Sequence, residues 1–502
     1  MSLMGIDVGT SGCKAAVFSA DGELLGQAYR EYPIDRPAPG QAELDAHRVW
    51  RDVQSAIREA VSGTSSDPVS AISVGSLGEA VVPVSADRRI LGPSLLNADA
   101  RGATYLPALS EGLDARRLYE INGNTLGNHY SLTKLLWTRE HQPALYGETF
   151  KFFHWGACVS FLLGGEPLVD YCLANRTLLF DLTRGAWSDE LACWAGADLE
   201  KLPAVVPPGT VTGTVSDAMA DALGLPKGVQ LVSGAHDQCV NALGCGAISE
   251  GQAMLGMGTV FCVAPVFSHR PAAHLMIPQG LNTEHHAAPG RHLCFIYNEG
   301  GALLKWYRDT FASEEHRVAQ REGRNVYETL LKEIPDRPGD LLVLPHFSPT
   351  GPPEFIADSS GLILGLRLET LRGEILRALM EGAVYYLRSC LERLPETGIR
   401  VDEFRAVGGG SHSDAWLQIC ADIFGRTLVR TAMPEGGALG AALLAGAATG
   451  IYHSVEEATA IAVQTGDRFE PNENGVALYR ERYARYLTLW PQLRSILRPP
   501  LP

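Results

Sequence analysis

Two glycine-threonine turns lie about 250 residues apart in the chain, Gly5-Ile6-Asp7-Val8-Gly9-Thr10-Ser11-Gly12-Cys13-Lys14 and Met254-Leu255-Gly256-Met257-Gly258-Thr259-Val260-Phe261-Cys262. Apolar, β-rich runs flank both, which predicts a strand, a tight turn and a returning strand in each case. Glycine lets an anion approach the backbone N–H groups of such a turn, and threonine or serine adds a hydroxyl donor. One loop used twice, with its copies facing each other, is suited to clamping a polyphosphate.

At 502 residues the chain exceeds what one hydrophobic core fills. Two domains with a cleft between them are expected, residues 1–246 and 247–502. With 46% hydrophobic and 20% charged residues the composition is that of a soluble globular protein. A formal charge of -15 argues against a nucleic-acid or anionic-membrane partner. Phosphate then has to be held locally, by backbone amides, a lysine and a metal. The ten cysteines form no CxxC pair and read as reduced, buried, small hydrophobes. Asp7 interrupts the first apolar strand, so no export leader is read there, and a cytoplasmic enzyme is expected. The uncharged stretch from Gly436 to Tyr452 is too rich in Gly and Ala for a bilayer span and reads as a tightly packed internal helix.

Val49, Val53, Ile57 and Val61 recur at four-residue spacing and predict a helix over 46–61 that packs on a sheet. Strands are expected at 69–74, 80–84 and 230–233, and 401–410 is expected to be a strand followed by a glycine turn. Helices are expected at 132–141, from Asp237, at 414–424, from Glu435 to Gly450, and near the C-terminus, where Tyr479, Tyr483 and Tyr486 share a face. The opening order of three strands, a helix and a strand is that of a ribonuclease-H-like α/β fold.

Three further stretches carry a resemblance. Ser131-Leu132-Thr133-Lys134-Leu135-Leu136-Trp137 follows one signature, with His129 and Thr138 departing from it. Gly361, Ile363, Gly365, Leu366, Glu374-Ile375 and Ala378-Leu379-Met380-Glu381 follow a second, with Leu379 departing. Gly408-Gly409-Gly410-Ser411-His412-Ser413-Asp414-Ala415-Trp416, continued by Ala421-Asp422-Ile423-Phe424-Gly425, follows an adenosine-side turn and helix. Together with the two hairpins, these stretches resemble the FGGY family of carbohydrate kinases over nearly the whole chain.

The resemblance implies two actin-like, ribonuclease-H-like α/β domains that close on a sugar or polyol and ATP. It also implies transfer of the γ-phosphoryl group to a hydroxyl, which requires in-line positioning, charge neutralisation and a base. Asp237 is the implied base, although the local sequence also fits a helix N-cap. Its place at a helix N-terminus is expected to keep it ionised. Asp7 is implied to hold Mg²⁺, which keeps several waters and needs few carboxylates. Gly9, Thr10, Ser11 and Lys14 then follow around the phosphates, Lys14 fitting a solvated strand-end charge equally well. Gly258 and Thr259 face the β- and γ-phosphates, Gly300 and Gly301 line the nucleotide or simply start a helix, and Gly409, Gly410 and Asp414 lie on the adenosine side.

For the sugar, the resemblance implicates Gly78, Glu79, Asp237 and Gln238. The Gly78-Glu79 pair departs from the Met-His of xylulose kinases and the Arg-Glu of glycerol kinases. A ketopentose such as xylulose is the leading substrate, with glycerol, erythritol or gluconate as alternatives. Asp99 and Arg101 are read as a structural ion pair. His274, His285, His286 and His292 lack metal-ligand spacing, and the run from Glu284 to His292 reads as a hairpin tip with solvated histidines. An actin- or chaperone-like ATPase is the competing class; a P-loop kinase is excluded because no G-x-x-x-x-G-K-[ST] occurs. A homodimer is left open.

Overall fold

Both glycine turns close antiparallel hairpins, and each hairpin sits at the same place in a sheet of its own. In the computed structural model, which describes residues 1–497 apart from Ser65, Pro349, Pro352, Phe355, Ala357 and Pro434, the first sheet has six strands. They are β1 (Ser2–Val8), β2 (Gly12–Phe18), β3 (Leu24–Glu31), β4 (Val69–Ser76), β5 (Val211–Thr214) and β6 (Gln230–His236), in the spatial order β5-β6-β4-β1-β2-β3. Strand β1 pairs antiparallel with β2 and parallel with β4. Helix α1 (Ala46–Val61) covers β2 and β3; Asp45 caps it, and Val49, Val53 and Ile57 are buried as their spacing predicts.

The second sheet repeats this plan. Strand β7 (Gly251–Met257) pairs antiparallel with β8 (Val260–Phe267). The order is completed by β9 (Glu284–His285), β10 (His292–Leu293), β11 (Ile296–Glu299), β12 (Val401–Val407), β13 (Thr427–Thr431) and β14 (Thr465–Phe469). It runs β9-β10-β8-β7-β12-β13-β14, with β11 also on β8 and β12 parallel to β7. The resulting α/β architecture is built on these two large sheets with helices packed on them, and among the described residues a four-stranded sheet and three two-stranded ones complete it.

A glycine-rich helix of the second half ties the two sheets together. Helix α2 (Asp237–Gly244) follows β6, and a later helix, Gly436–Ala448, lies against both α2 and β1. A Cβ on Gly5 would lie 1.7 Å from the Ala438 carbonyl oxygen, one on Gly440 1.9 Å from that of Val240, and one on Gly244 1.9 Å from that of Gly436. The small residues are therefore a packing requirement, since only backbone fits there. We expect Gly440→Ala to force these helices apart at a cost of about 2–3 kcal/mol, read as a lower Tm in a thermal melt; an unchanged Tm would show that this contact is loose. No helix among the described residues is long and apolar enough to cross a membrane.

The histidines of the 284–292 hairpin depart from the sequence reading. The hairpin is present, β9 pairing antiparallel with β10, but His286 is buried, its Nδ1 accepting from Ala288 N and its Nε2 lying 2.9 Å from the Ala247 carbonyl oxygen. Burial pushes its pKa down to about 4. His285 and His292 are half-buried, His285 Nε2 lying 3.0 Å from the Leu182 carbonyl oxygen, so the hairpin's histidines are not the solvated groups expected, whereas His274 is exposed. Among the cysteines, Cys193 is exposed and the other nine are buried.

Candidate active site

At the end of β6 the chain enters a helix without a connecting loop. A Cβ on Gly234 would lie 2.0 Å from the Val74 carbonyl oxygen, so glycine lets β6 press against β4, and the register shifts between Ser233 and His236. This kink delivers His236 and Asp237 to the edge of a cavity of about 400 Å³. Thr10 of the first turn, Gly258 of the second, Gly78-Glu79, Asp237-Gln238 and Gly408 all line it. Residues some 400 positions apart in sequence thus share one wall.

Asp237 faces this cavity. Its Oδ1 accepts from Gln238 Nε2 at 3.1 Å, and His236 Nε2 lies 3.1 Å away. Burial, reinforced by the charges of Asp7 and Glu79, pushes its pKa up to about 7. The sequence reading, in which the helix N-terminus keeps this carboxylate ionised, left out its burial, which raises the pKa. A carboxylate poised near neutrality is the better general base at physiological pH.

Asp7 stands at the end of β1 beside a second opening of about 210 Å³, which Gly9, Lys14, Glu435 and Gly437 also line. Its Oδ1 is buried without a hydrogen-bond partner among the described residues, and burial raises its pKa to about 6. A buried, unpartnered carboxylate oxygen between two glycine surfaces fits a hydrated divalent cation. Lys14 is not a solvated strand-end charge, since it pairs with Glu435. Ser11 is exposed at the tip of the first turn, and the Gly9 amide donates to the Gly12 carbonyl across it.

Gly258 and Thr259 are exposed at the tip of the second turn. Gly300 and Gly301 pack onto them: Gly301 N donates to Gly258 O and Ala302 N to Thr259 O, and a Cβ on Gly300 would lie 2.0 Å from the Phe261 ring. The pair starts the Gly301–Phe311 helix and braces the turn from behind. Gly409 and Gly410 lie in a short 3-10 turn beside Met257. Asp414 opens the next helix and pairs with Arg430.

The sugar side holds what sequence reasoning missed. Glu79 Oε1 is held by Arg176 through Nε and Nη2, and the same guanidinium reaches Glu284 through Nη1. All three residues are buried. Burial opposes ionisation of Glu79, yet Arg176 holds it down at about 2. Gly78 is buried against this network, for a Cβ there would lie 2.8 Å from the His236 ring and 3.1 Å from Arg176. The departure at Gly78-Glu79 is therefore compensated, because Arg176 and His236 fill the space that a larger residue at position 78 would need. Phe295 and Tyr297 complete the wall. Nothing local to Arg176 marks it in the sequence. Asp99 and Arg101 form an ion pair that also engages Glu43.

The profile described as "FGGY family of carbohydrate kinases, N-terminal domain" matches residues 2–244, and that of the C-terminal domain matches residues 278–449. The chain belongs to the FGGY family of carbohydrate kinases. Its FGGY relatives share about a quarter of their residues with it. A xylulose kinase of Bacillus subtilis is 25% identical over 98% of this chain and 97% of its own. An autoinducer-2 kinase of Salmonella typhimurium is 27% identical over 99% and 95%, and a gluconokinase of Bacillus licheniformis 27% identical over 97% and 95%. The solved xylulose kinase of Rhodospirillum rubrum superposes with a TM-score of 0.85 at 25% identity, covering 99% of this chain and 100% of that one. This FGGY chain is thus a sugar kinase by family, and its relatives of equal similarity carry different substrate names.

Proposed function

We propose that the chain is an ATP- and Mg²⁺-dependent kinase for an uncharged ketose or polyol, a ketopentose such as xylulose first among them. Asp237 acts as general base toward the acceptor hydroxyl. Asp7 would hold the cation, which supplies charge neutralisation at the phosphates. The turns at Gly9–Ser11 and Gly258–Thr259, with Lys14, bind the phosphate chain, and Gly300, Gly301, Gly409, Gly410 and Asp414 form the nucleotide side. Glu79 and Gln238 orient the sugar.

The observation that carries the choice of an uncharged substrate is Arg176. It is the one Lys or Arg among the described residues lining the cavity beside Asp237, and the buried Glu79 carboxylate and the buried Glu284 carboxyl already engage it. With Glu79 and Asp237 beside it, an incoming carboxylate would meet negative charge without a free cation. This reading places gluconate behind the neutral alternatives, glycerol and erythritol.

The test is ADP release with Mg-ATP against D- and L-xylulose, D- and L-ribulose, glycerol, erythritol, L-fuculose and gluconate. Turnover with a neutral member and none with gluconate supports the reading. Gluconate as the best substrate overturns the charge argument, and sugar-independent hydrolysis alone favours an actin-like ATPase. Asp7→Ala is expected to raise the Mg²⁺ concentration needed for half-maximal turnover by about tenfold or more while leaving the sugar KM within about twofold. Titration of initial rates with MgCl₂ reads this, and an unchanged Mg²⁺ dependence would remove Asp7 from the cation site.

A further inference from the structure

His236 stands between two carboxyl groups and carries one proton. Its Nε2 lies 3.1 Å from Asp237 Oδ1 and its Nδ1 lies 3.9 Å from Glu284 Oε2. Both Nδ1 and that Oε2 are buried without a hydrogen-bond partner among the described residues, and Glu284 is 0% exposed. Two orphaned polar atoms pointing at each other cost about 1–3 kcal/mol apiece, which a shift of about 1 Å to hydrogen-bond distance removes. We propose that His236 is the positioning residue of the catalytic base and that Glu284, as a carboxylic acid, fixes its tautomer.

The assignment follows by elimination, and it rests on Asp237 being the base. Burial and Arg176 push the His236 pKa down to about 3, so the ring is neutral and has a single N–H. Asp237 must be ionised to accept the hydroxyl proton, and a ring lone pair against a carboxylate is repulsive. The N–H therefore belongs on Nε2, directed at Asp237 Oδ1, which leaves the other carboxylate oxygen for the substrate. Nδ1 is then an acceptor, and the group facing it has to donate. Glu284 Oε1 already accepts from Arg176 and Asn282, so Oε2 carries the proton. Burial supports this by pushing the Glu284 pKa up to about 7 against the pull of Arg176. The other titratable groups around the pair include Glu79 and Arg176, His154, Asp7 from β1, Tyr130, and the thiols of Cys172, Cys239, Cys262 and Cys294. Phe295 meets the imidazole edge-on at 5.2 Å and keeps the ring plane fixed.

Three kinds of measurement test this. In protein labelled with ¹⁵N-histidine, the His236 resonances, assigned by their loss in His236→Gln, should show the Nε2–H tautomer in wild type and in Glu284→Gln, whose amide also donates. An Nδ1–H tautomer or an imidazolium overturns the proposal whether or not a sugar substrate has been found. In kinetics, His236→Leu should lower kcat about 10–100-fold, leave the sugar KM within about threefold, and move the acidic limb of the pH profile upward. His236→Gln, which keeps a donor at similar reach, should recover most of that loss, and Glu284→Gln should keep kcat within about threefold. Equal losses in His236→Leu and His236→Gln with an unmoved pH limb would mean a packing role only. One donor atom each of His236, Cys239 and Glu284 lies within 4.8 Å of the others. Stoichiometric zinc that is lost in Cys239→Ser would therefore place a metal on Nδ1 and also overturn the proposal.

Discussion

Asp237→Asn is expected to lower sugar-dependent turnover by about 10³-fold while ATP affinity stays within about twofold of wild type. The substitution keeps shape and the Gln238 contact but removes the lone pair and charge that accept the hydroxyl proton. Wild-type kcat/KM should rise about tenfold per pH unit on the acidic side and level off above about 7, where burial and the neighbouring charges place this carboxyl. The same environment has a stability consequence. The folded value lies above the unfolded one, near 3.9. Between the two, the folded chain therefore binds more protons than the unfolded chain, and stability falls as pH rises through that window. Asparagine abolishes this loss. The variant should melt higher than wild type at pH 8 and nearly with it at pH 4. Turnover retained at the wild-type level would remove Asp237 as base, and a lower Tm at pH 8 would show that its charge is not held at a cost.

The parts of this site that sequence made legible are those whose chemistry is local. The two hairpins, the 46–61 and 414–424 helices and the strand-to-helix junction at Asp237 follow from periodicity, turn glycines and apolar runs, because those signals act over a few residues. Even the packing of the glycine-rich helix was visible, since only a close backbone approach makes so many small residues useful. Arg176, His236 and Glu284 were not legible. Arg176 pairs with residues 97 and 108 positions away, Glu284 meets His236 across 48 positions, and a lone buried arginine after a short helix looks like any other. The Gly78-Glu79 departure was the available signal: a missing side chain beside a carboxylate implies a cation from elsewhere. The ionisation of Asp237 was misread for a related reason, as the helix terminus is a local feature and burial is not.

Arg176→Met carries the second large expectation. The side chain keeps its length and loses the guanidinium, which leaves the Glu79 carboxylate buried without a counter-charge and Glu284 without its donor. Removing one partner of such a cluster costs about 3–5 kcal/mol, so a Tm drop of roughly 5 °C or more is expected at pH 7. Glu79 gives the effect a pH signature. Its folded value of about 2 lies below the unfolded one, so its contribution is fully present above about pH 5 and is lost as pH falls. The gap between variant and wild type should accordingly narrow from pH 7 to pH 3. Sugar KM should rise by about tenfold or more, because Glu79 loses the contact that orients it. Arg176→Lys should rescue little, since one ammonium cannot make the paired bonds to Glu79 and reach Glu284 at once. Adding Glu79→Gln and Glu284→Gln to Arg176→Met should restore Tm without restoring the sugar KM. That split separates the stabilising role of the arginine from its role in shaping the pocket. A variant with wild-type Tm and KM would show that the two glutamates are solvated and that the charge argument for an uncharged substrate has no basis.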